Sequence, residues 1–143
     1  MAVWFKDYDL SNVIWKQDTM MGTLGMDLVE KGDDYLMGKM PIDSRTVQPM
    51  RILHGGASVA LAETLGSLAS FMMIDPETHF CVGQSIQANH IRPGTKGFAH
   101  GKASLIHQGR TSHIWNIDIT NDEGKLLCIC RLTMAIVEKN NSK

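Results

Sequence analysis

Apolar residues recur along this chain with two different periods. Between Gly55 and Met73, Leu61, Leu65, Leu68 and Met72 fall at i, i+4, i+7 and i+11, the spacing of one helix face. Elsewhere the pattern is that of strands. "WNIDIT" (115–120) alternates apolar and polar positions, whereas "LLCICRLTMAIV" (126–137) is apolar on both faces and is expected inside a sheet. Runs at 24–32, 34–43, 80–93, 97–108, 110–120 and 125–138 read as strands, separated by turn-forming residues such as Gly32-Asp33, Pro93-Gly94, Gly109 and "NDEG". The short turns predict an antiparallel meander for the last four. "LSNVIWKQ" (10–17) reads as a short amphipathic helix after a Ser11 cap, and the terminal "NNSK" (140–143) is expected to fray. The loop 44–53 contains Pro49, which holds Gln48 extended, and "DPET" (75–78) ends the long helix. One buried helix against a curved antiparallel sheet is an α+β fold, expected as a single domain over residues 1–143.

Composition narrows the function classes. The chain is 43% hydrophobic and 20% charged, with a net charge of −1 and dispersed Lys and Arg. Neither a nucleic acid nor an anionic membrane surface is an expected partner, since either needs clustered positive charge. "MAVWFKDYDL" interrupts any apolar run with charges, so no signal peptide is read there. Three cysteines, Cys81, Cys128 and Cys130, suggest reduced thiols and a cytoplasmic setting, with Cys128 and Cys130 as core filler on one strand face. The run from Ile52 to Ile74 is nominally long enough to cross a bilayer. Its Gly and Ser content and the central Glu63 favour a buried helix in a soluble fold instead.

Glu63 carries the only formal charge in that run. Gly56, Val59, Ala60, Gly66, Ser67 and Ser70 lie near it at helical spacings. An average helical glutamate sits in water among charged neighbours. One among small residues is expected to be partly desolvated, with a pKa raised toward that of a general base. At the helix start, Gly55 and Gly56 either permit a sharp entry turn or leave open N–H groups that could receive an oxyanion. The eight residues from Gly55 to Glu63 span about 12 Å of helix, too far for both groups to act on one carbonyl within one chain. If both act, Glu63 must come from a second chain, its helix antiparallel to the first across a two-fold axis.

"GKMPIDSRTVQP", the HGG-x₆-AE helix, "VGQSIQANHIRP", "HQGRTSHIWNIDI" and "CRLTMAI" together resemble the hotdog-fold acyl-CoA thioesterases over nearly the whole chain. The resemblance is strongest to the branch of 4-hydroxybenzoyl-CoA and 1,4-dihydroxy-2-naphthoyl-CoA thioesterases. It implies a sheet wrapped around a long central helix, and dimers that pair into homotetramers. By matching position, Glu63 would be nucleophile or general base and the Gly55 N–H would polarise the thioester carbonyl. Gln48 and His54 would orient the thioester and assist the leaving thiolate, and Ser67 would place the water. Contacts to CoA would come from Gly83, from His90, Ile91, Arg92 and Pro93, and from His107, Gln108, Gly109, Arg110, Thr111 and Ser112. Arg and His beside hydroxyls also suit the phosphates of CoA on chemical grounds. No metal or cofactor is expected, since CoA is part of the substrate. The acyl end of the pocket is expected to involve Leu65, Leu68 and Met72. Hydration or dehydration of an acyl thioester, and acyl-CoA binding without turnover, are the alternatives. The first lacks its "HFP…PG" or D-x₄-H signature here, and the second would not need Glu63.

Overall fold

Six strands form one antiparallel sheet with a long helix packed on one face. The computed structural model describes residues 1–140. The elements are α1 (Met20–Thr23), β1 (Asp27–Lys31), β2 (Tyr35–Pro41), α2 (Gly55–Met73), β3 (His79–His90), β4 (Phe98–Gln108), β5 (Ser112–Thr120) and β6 (Leu126–Glu138). Each expected strand is present with slightly trimmed ends, and the α+β class holds. The expected fraying of 140–143 lies, apart from Asn140, outside the described residues.

The meander expectation is only half right. The sheet order is β1-β2-β4-β5-β6-β3, so β4, β5 and β6 are sequential neighbours but β3 is not beside β4. It pairs with β6 at the far edge, His79 opposite Glu138 and His90 opposite Cys128. Residues 91–97 therefore cross the end of the sheet. The Ile91 N–H bonds the Leu127 carbonyl at 2.7 Å, and the carbonyls of Gly94 and Gly97 accept from Leu53 and Ile42 at 2.7 and 2.8 Å. Pro93-Gly94 looks like a hairpin turn in sequence. In the fold Gly94 is buried against Ile42, Leu53 and Leu127, and that packing draws the segment across.

The N-terminal region is also a correction. In place of a helix over 10–17 there is a 3-10 turn, Ile14–Lys16, followed by α1. Side chains of Asp9 and Asn12 accept the backbone N–H groups of Ser11 and Ile14 at 2.9 and 3.1 Å. Such local bonds compete with helix formation, and Asp18 then takes a left-handed φ of 56°.

Small residues in the sheet seat α2. A Cβ on Gly38 or Gly101 would lie 2.7 or 2.5 Å from the methyl groups of Leu65, so Leu65 drops between these two positions of β2 and β4. On the helix itself, a Cβ on Gly66 would lie 2.3 Å from Leu132. Leu61, Leu65 and Met72 are buried as the periodicity implies, but Leu68 is only half-buried. Gly66 and Ser70, assigned by spacing to the face of Glu63, are buried toward the sheet instead. Neither has the apolar side chain that would have disclosed this. α2 is long and apolar enough to cross a membrane, yet more than half of it is buried within the fold. Cys128 and Cys130 are fully buried core residues with Sγ atoms 3.7 Å apart and no disulfide. Burial pushes the Cys130 thiol up to about 12.

A polar chain runs through this core. Trp115 Nε1 donates to Ser70 Oγ at 2.8 Å, and Ser70 Oγ lies 2.9 Å from His113 Nδ1. A neutral imidazole accepting from Ser70 satisfies all three groups. Burial, aided by nearby His107, holds His113 below its ordinary pKa. The unfolded chain therefore binds a proton near pH 6.5 that the folded state refuses. Stability from this group is complete above that pH and falls as the pH drops toward the folded-state value, by up to about 1.4 kcal/mol per unit. Denaturant midpoints measured from pH 7.5 to 5 should fall with this slope, and His113→Asn should flatten it. An equal slope in the variant would exclude His113 as the cause.

Candidate active site

Glu63 lies on the strip of α2 that the sheet leaves uncovered, with Gly56, Val59, Ala60, Ser67 and Phe71. Its carboxylate is half-buried and has no hydrogen bond or ion pair among the described residues. A cavity of about 430 Å³ opens beside it, walled by Ser67, Leu68 and Phe71 of α2, Met20 and Met21 of α1, and Cys81 of β3. Gly83 of β3 lies against the carboxylate, since a Cβ there would be 2.4 Å from Oε2. The β3 register shifts between Gly83 and Ser85, a bulge of the kind that re-aims a strand beside a site. Gly83 was expected among the CoA contacts, but its nearest side-chain neighbour is Glu63. The Ser67 hydroxyl donates only a weak bond, to Met134 Sδ at 3.5 Å.

The start of α2 faces a different cavity, of about 450 Å³, lined by Gln48, Gly55, His90, Ile91, Arg92 and Pro93 among others. No hydrogen bond engages the Gly55 N–H among the described residues. The His90 ring lies close over this position, since a Cβ on residue 55 would come within 2.9 Å of it and the exposed ring would have to shift. Gln48 reaches this cavity through a tight turn. Its carbonyl accepts from Arg51 at 2.8 Å, Arg51 takes a left-handed φ of 66°, and the Gln48 amide oxygen accepts the Met50 N–H. Arg92 Nη1 is held on the Leu126 carbonyl at 2.8 Å.

His54 is not brought to Gln48. Its Nδ1 accepts the Gly56 N–H at 2.8 Å as the cap of α2. That bond turns the ring toward a third cavity, of about 280 Å³, with Arg45, Gly56 and Ala60. Leu65 is also displaced from its expected role: it is sealed in the sheet and lines no acyl cavity. Met20, Met21, Phe71 and Cys81 were not anticipated. Met20 and Met21 belong to a stretch without periodicity, which carried no signal for them.

Two groups of expected residues therefore sit at opposite ends of the chain's sheet. His90 is in register with Cys128, and Ser112 with Ala135. Seven residues of β6 separate these positions, roughly 23 Å of strand. At one end His90, the last residue of β3, and Ile91, Arg92 and Pro93 of the crossing segment lie beside Gly55. At the other, the β4–β5 hairpin carries exposed His107, Gln108, Arg110 and Thr111, half-buried Gly109 and Ser112. There Gly109 N–H bonds the Ser112 carbonyl at 2.8 Å, and the Thr111 carbonyl accepts from Ile136 at 2.9 Å.

Residues 50–128 match the Thioesterase superfamily. The chain is 42% identical to a thioesterase of Pseudomonas aeruginosa, solved as a mutant, covering 96% of this chain and 100% of that one with a TM-score of 0.95. A thioesterase structure from Haemophilus influenzae is 38% identical, covering 99% of each chain, with a TM-score of 0.91. The 1,4-dihydroxy-2-naphthoyl-CoA hydrolase of Escherichia coli is 42% identical over 85% of this chain and 88% of that protein.

The contact between Gly83 and Glu63 generates a structural expectation. Gly83→Ala should leave the unfolding midpoint nearly unchanged, because the clash is with the end of a flexible side chain. In a crystal structure of the variant the Glu63 carboxylate should be swung away from β3. An unmoved carboxylate would mean that the close approach does not constrain it.

Proposed function

This chain belongs to the thioesterase superfamily and is a hotdog-fold thioester hydrolase, and from that premise we propose that it hydrolyses acyl-CoA thioesters to the free acid and CoA in sites shared between two subunits. One observation carries the reading. A carboxylate and an N–H, each without a partner among the described residues, face separate cavities of the same helix, about 12 Å apart. Each is half of what thioester hydrolysis needs.

In this reading the Gly55 N–H of one subunit donates to the thioester oxygen. As the carbonyl carbon becomes tetrahedral, that oxygen gains negative charge at the positive end of α2, where a preorganised donor is most effective. Gln48 steadies the thioester beside Gly55. From the other subunit, Glu63 attacks the carbonyl or takes a proton from water that attacks it, with Ser67 holding the water. Collapse of the intermediate breaks the C–S bond and releases the CoA thiolate, which is then protonated. His54 stays in the proposal as a cap that sets the aim of the helix N-terminus. The reaction written this way draws on water alone and needs no metal or cofactor.

The separated CoA clusters support the same arrangement. Antiparallel helices would set the Arg92 end of one subunit beside the Arg110 end of its neighbour, giving one CoA cationic contacts from both. β3 is an edge strand with Phe80 and Val82 exposed, which suits pairing about a two-fold axis. Two such dimers forming a tetramer belongs to the same proposal. An aromatic acyl group is favoured by the name of the E. coli relative, a naphthoyl-CoA hydrolase. All three cysteines are free, which suits a reducing cytoplasm.

Release of CoA thiol from benzoyl-, naphthoyl- and aliphatic CoA esters tests the activity. Glu63→Gln should lower turnover by about 10²–10⁴ while the protein stays folded. Mixing Glu63→Gln with Gln48→Ala subunits should restore about one quarter of the sites, because half the dimers are mixed and one of their two sites is intact. No recovery after verified subunit exchange would place both groups in one chain. Oxygen-18 appearing in the Glu63 carboxyl after single turnovers would mark an anhydride route, and its absence the general-base route.

A further inference from the structure

Tyr8 Oη and Trp15 Nε1 are buried without any hydrogen-bond partner among the described residues. Both side chains line one cavity, about 410 Å³, between the N-terminal segment and the C-terminal half of α2. Its apolar wall includes Leu28, Leu68, Phe71 and Met72. Leu68 and Phe71 also wall the cavity beside Glu63, so the two chambers adjoin across these side chains. Folded proteins rarely leave a buried polar group unpaired. Two in one chamber, where nothing else in the wall satisfies them, indicate a missing hydrogen-bonding partner.

The chemistry of the pair narrows what that partner is. The indole N–H only donates, and the phenol donates while protonated. Desolvation, with Asp75 nearby, holds the Tyr8 phenol above its ordinary pKa and so keeps the proton on. Both groups therefore call for an acceptor. Charges of both signs, Lys6, Asp7 and Asp9, line the same cavity, which suits a neutral acceptor better than a carboxylate. Tyr8 and Trp15 are half-buried side chains packed against the edge of the core, Tyr8 with its ring 6.2 Å from that of Phe71, so reaching their polar atoms takes a rotation of these rings at the chamber wall. From Glu63 to Leu68 and Phe71 is five to eight residues, roughly 8–12 Å along the helix.

We propose that this N-terminal chamber receives the far end of the acyl group, and that Tyr8 and Trp15 hydrogen-bond a hydroxyl or carbonyl oxygen carried there, roughly 8–12 Å beyond the reacting carbonyl. The proposal rests on Glu63 being the reacting group. It makes the N-terminal segment the element that selects among acyl-CoA substrates, and makes chain length combined with a distal acceptor the feature selected.

Octanoyl-CoA and 8-hydroxyoctanoyl-CoA differ only in such an acceptor, at about the required reach. The protein should favour the hydroxylated chain in kcat/KM by about fivefold or more, chiefly through KM. Tyr8→Phe and Trp15→Phe should each reduce that preference severalfold. Should Trp15→Phe fail to fold, Tyr8→Phe carries the test by deleting a single hydroxyl. Hydrolysis of both chains without preference, or a preference unchanged in the variants, overturns this inference alone and assigns the two polar atoms to bound water. Failure to hydrolyse any acyl-CoA, aromatic esters included, overturns the proposed function and this inference with it.

Discussion

The roll of α2 about its own axis is the constraint on which the rest of the structure depends. Leu65 enters the space left by Gly38 and Gly101, while Gly66 gives way to Leu132. These two contacts lie on adjacent residues and leave the helix one orientation. Close-packed interiors resist even small rotations, because each would open a void on one side and a clash on the other. With the roll fixed, Glu63 must leave the sheet on the side of Gly83, and Gly55 must open toward the crossing segment. The absence of side chains at Gly38, Gly101 and Gly66 thus aims a carboxylate that touches none of them.

Fixed helix geometry also explains why the chemistry is divided. A rise of about 1.5 Å per residue keeps Gly55 and Glu63 about 12 Å apart in any straight α-helix, however the sheet is arranged. The crossover after β3 reinforces the division. It carries His90, Ile91, Arg92 and Pro93 to the N-terminus of α2, whereas the β4–β5 hairpin ends at the other end of the sheet. An ordinary hairpin after β3 would have left Gly55 without this wall. Pairing across a two-fold axis, as proposed, turns two separated halves into two equivalent complete sites with no further rearrangement of either chain.

Much of this was legible from residue spacing. Period two located the strands because side chains alternate across a pleat, and period 3.6 located α2 for the corresponding reason. Strand order was not legible, because pairing of β3 with β6 depends on the packing of Gly94 against Ile42, Leu53 and Leu127, residues far apart in sequence. Face assignment failed at Gly66 and Ser70, whose side chains carry little hydrophobic signal. Ser70 is buried because Trp115 and His113 satisfy its hydroxyl, and both lie more than forty residues away. Glu63 drew notice by its contrast with small neighbours, Ser67 by its spacing from Glu63, Gly55 by its place at the helix start and Gln48 through resemblance; the fold sets the first two on one cavity and the last two on another. His54 was read as a group that orients the thioester, and its capping bond was not foreseen. The bond to Gly56 that turns its ring follows from the entry geometry of the helix, which spacing alone does not reveal.

The N-terminal segment escaped periodic reading for a reason that bears on its role. A segment held by isolated backbone bonds, such as Val3 to Asp33 and Phe5 to Met72, by scattered side chains, and by local bonds to Asp9 and Asn12 need not repeat at any period. Such a segment is less constrained by the sheet than α2 is. Changes in it can reshape a chamber without disturbing the roll that aims Glu63. If nothing occupied the chamber, leaving Tyr8 and Trp15 unpaired would cost about 1–3 kcal/mol for each group, a substantial share of the stability of a protein this size. The core groups Ser70, His113 and Trp115 incur no such cost, since each satisfies another. Among the described residues, buried side-chain groups left unpaired line the N-terminal chamber and not the core, as expected if, as proposed, that chamber receives an acceptor carried by the acyl group.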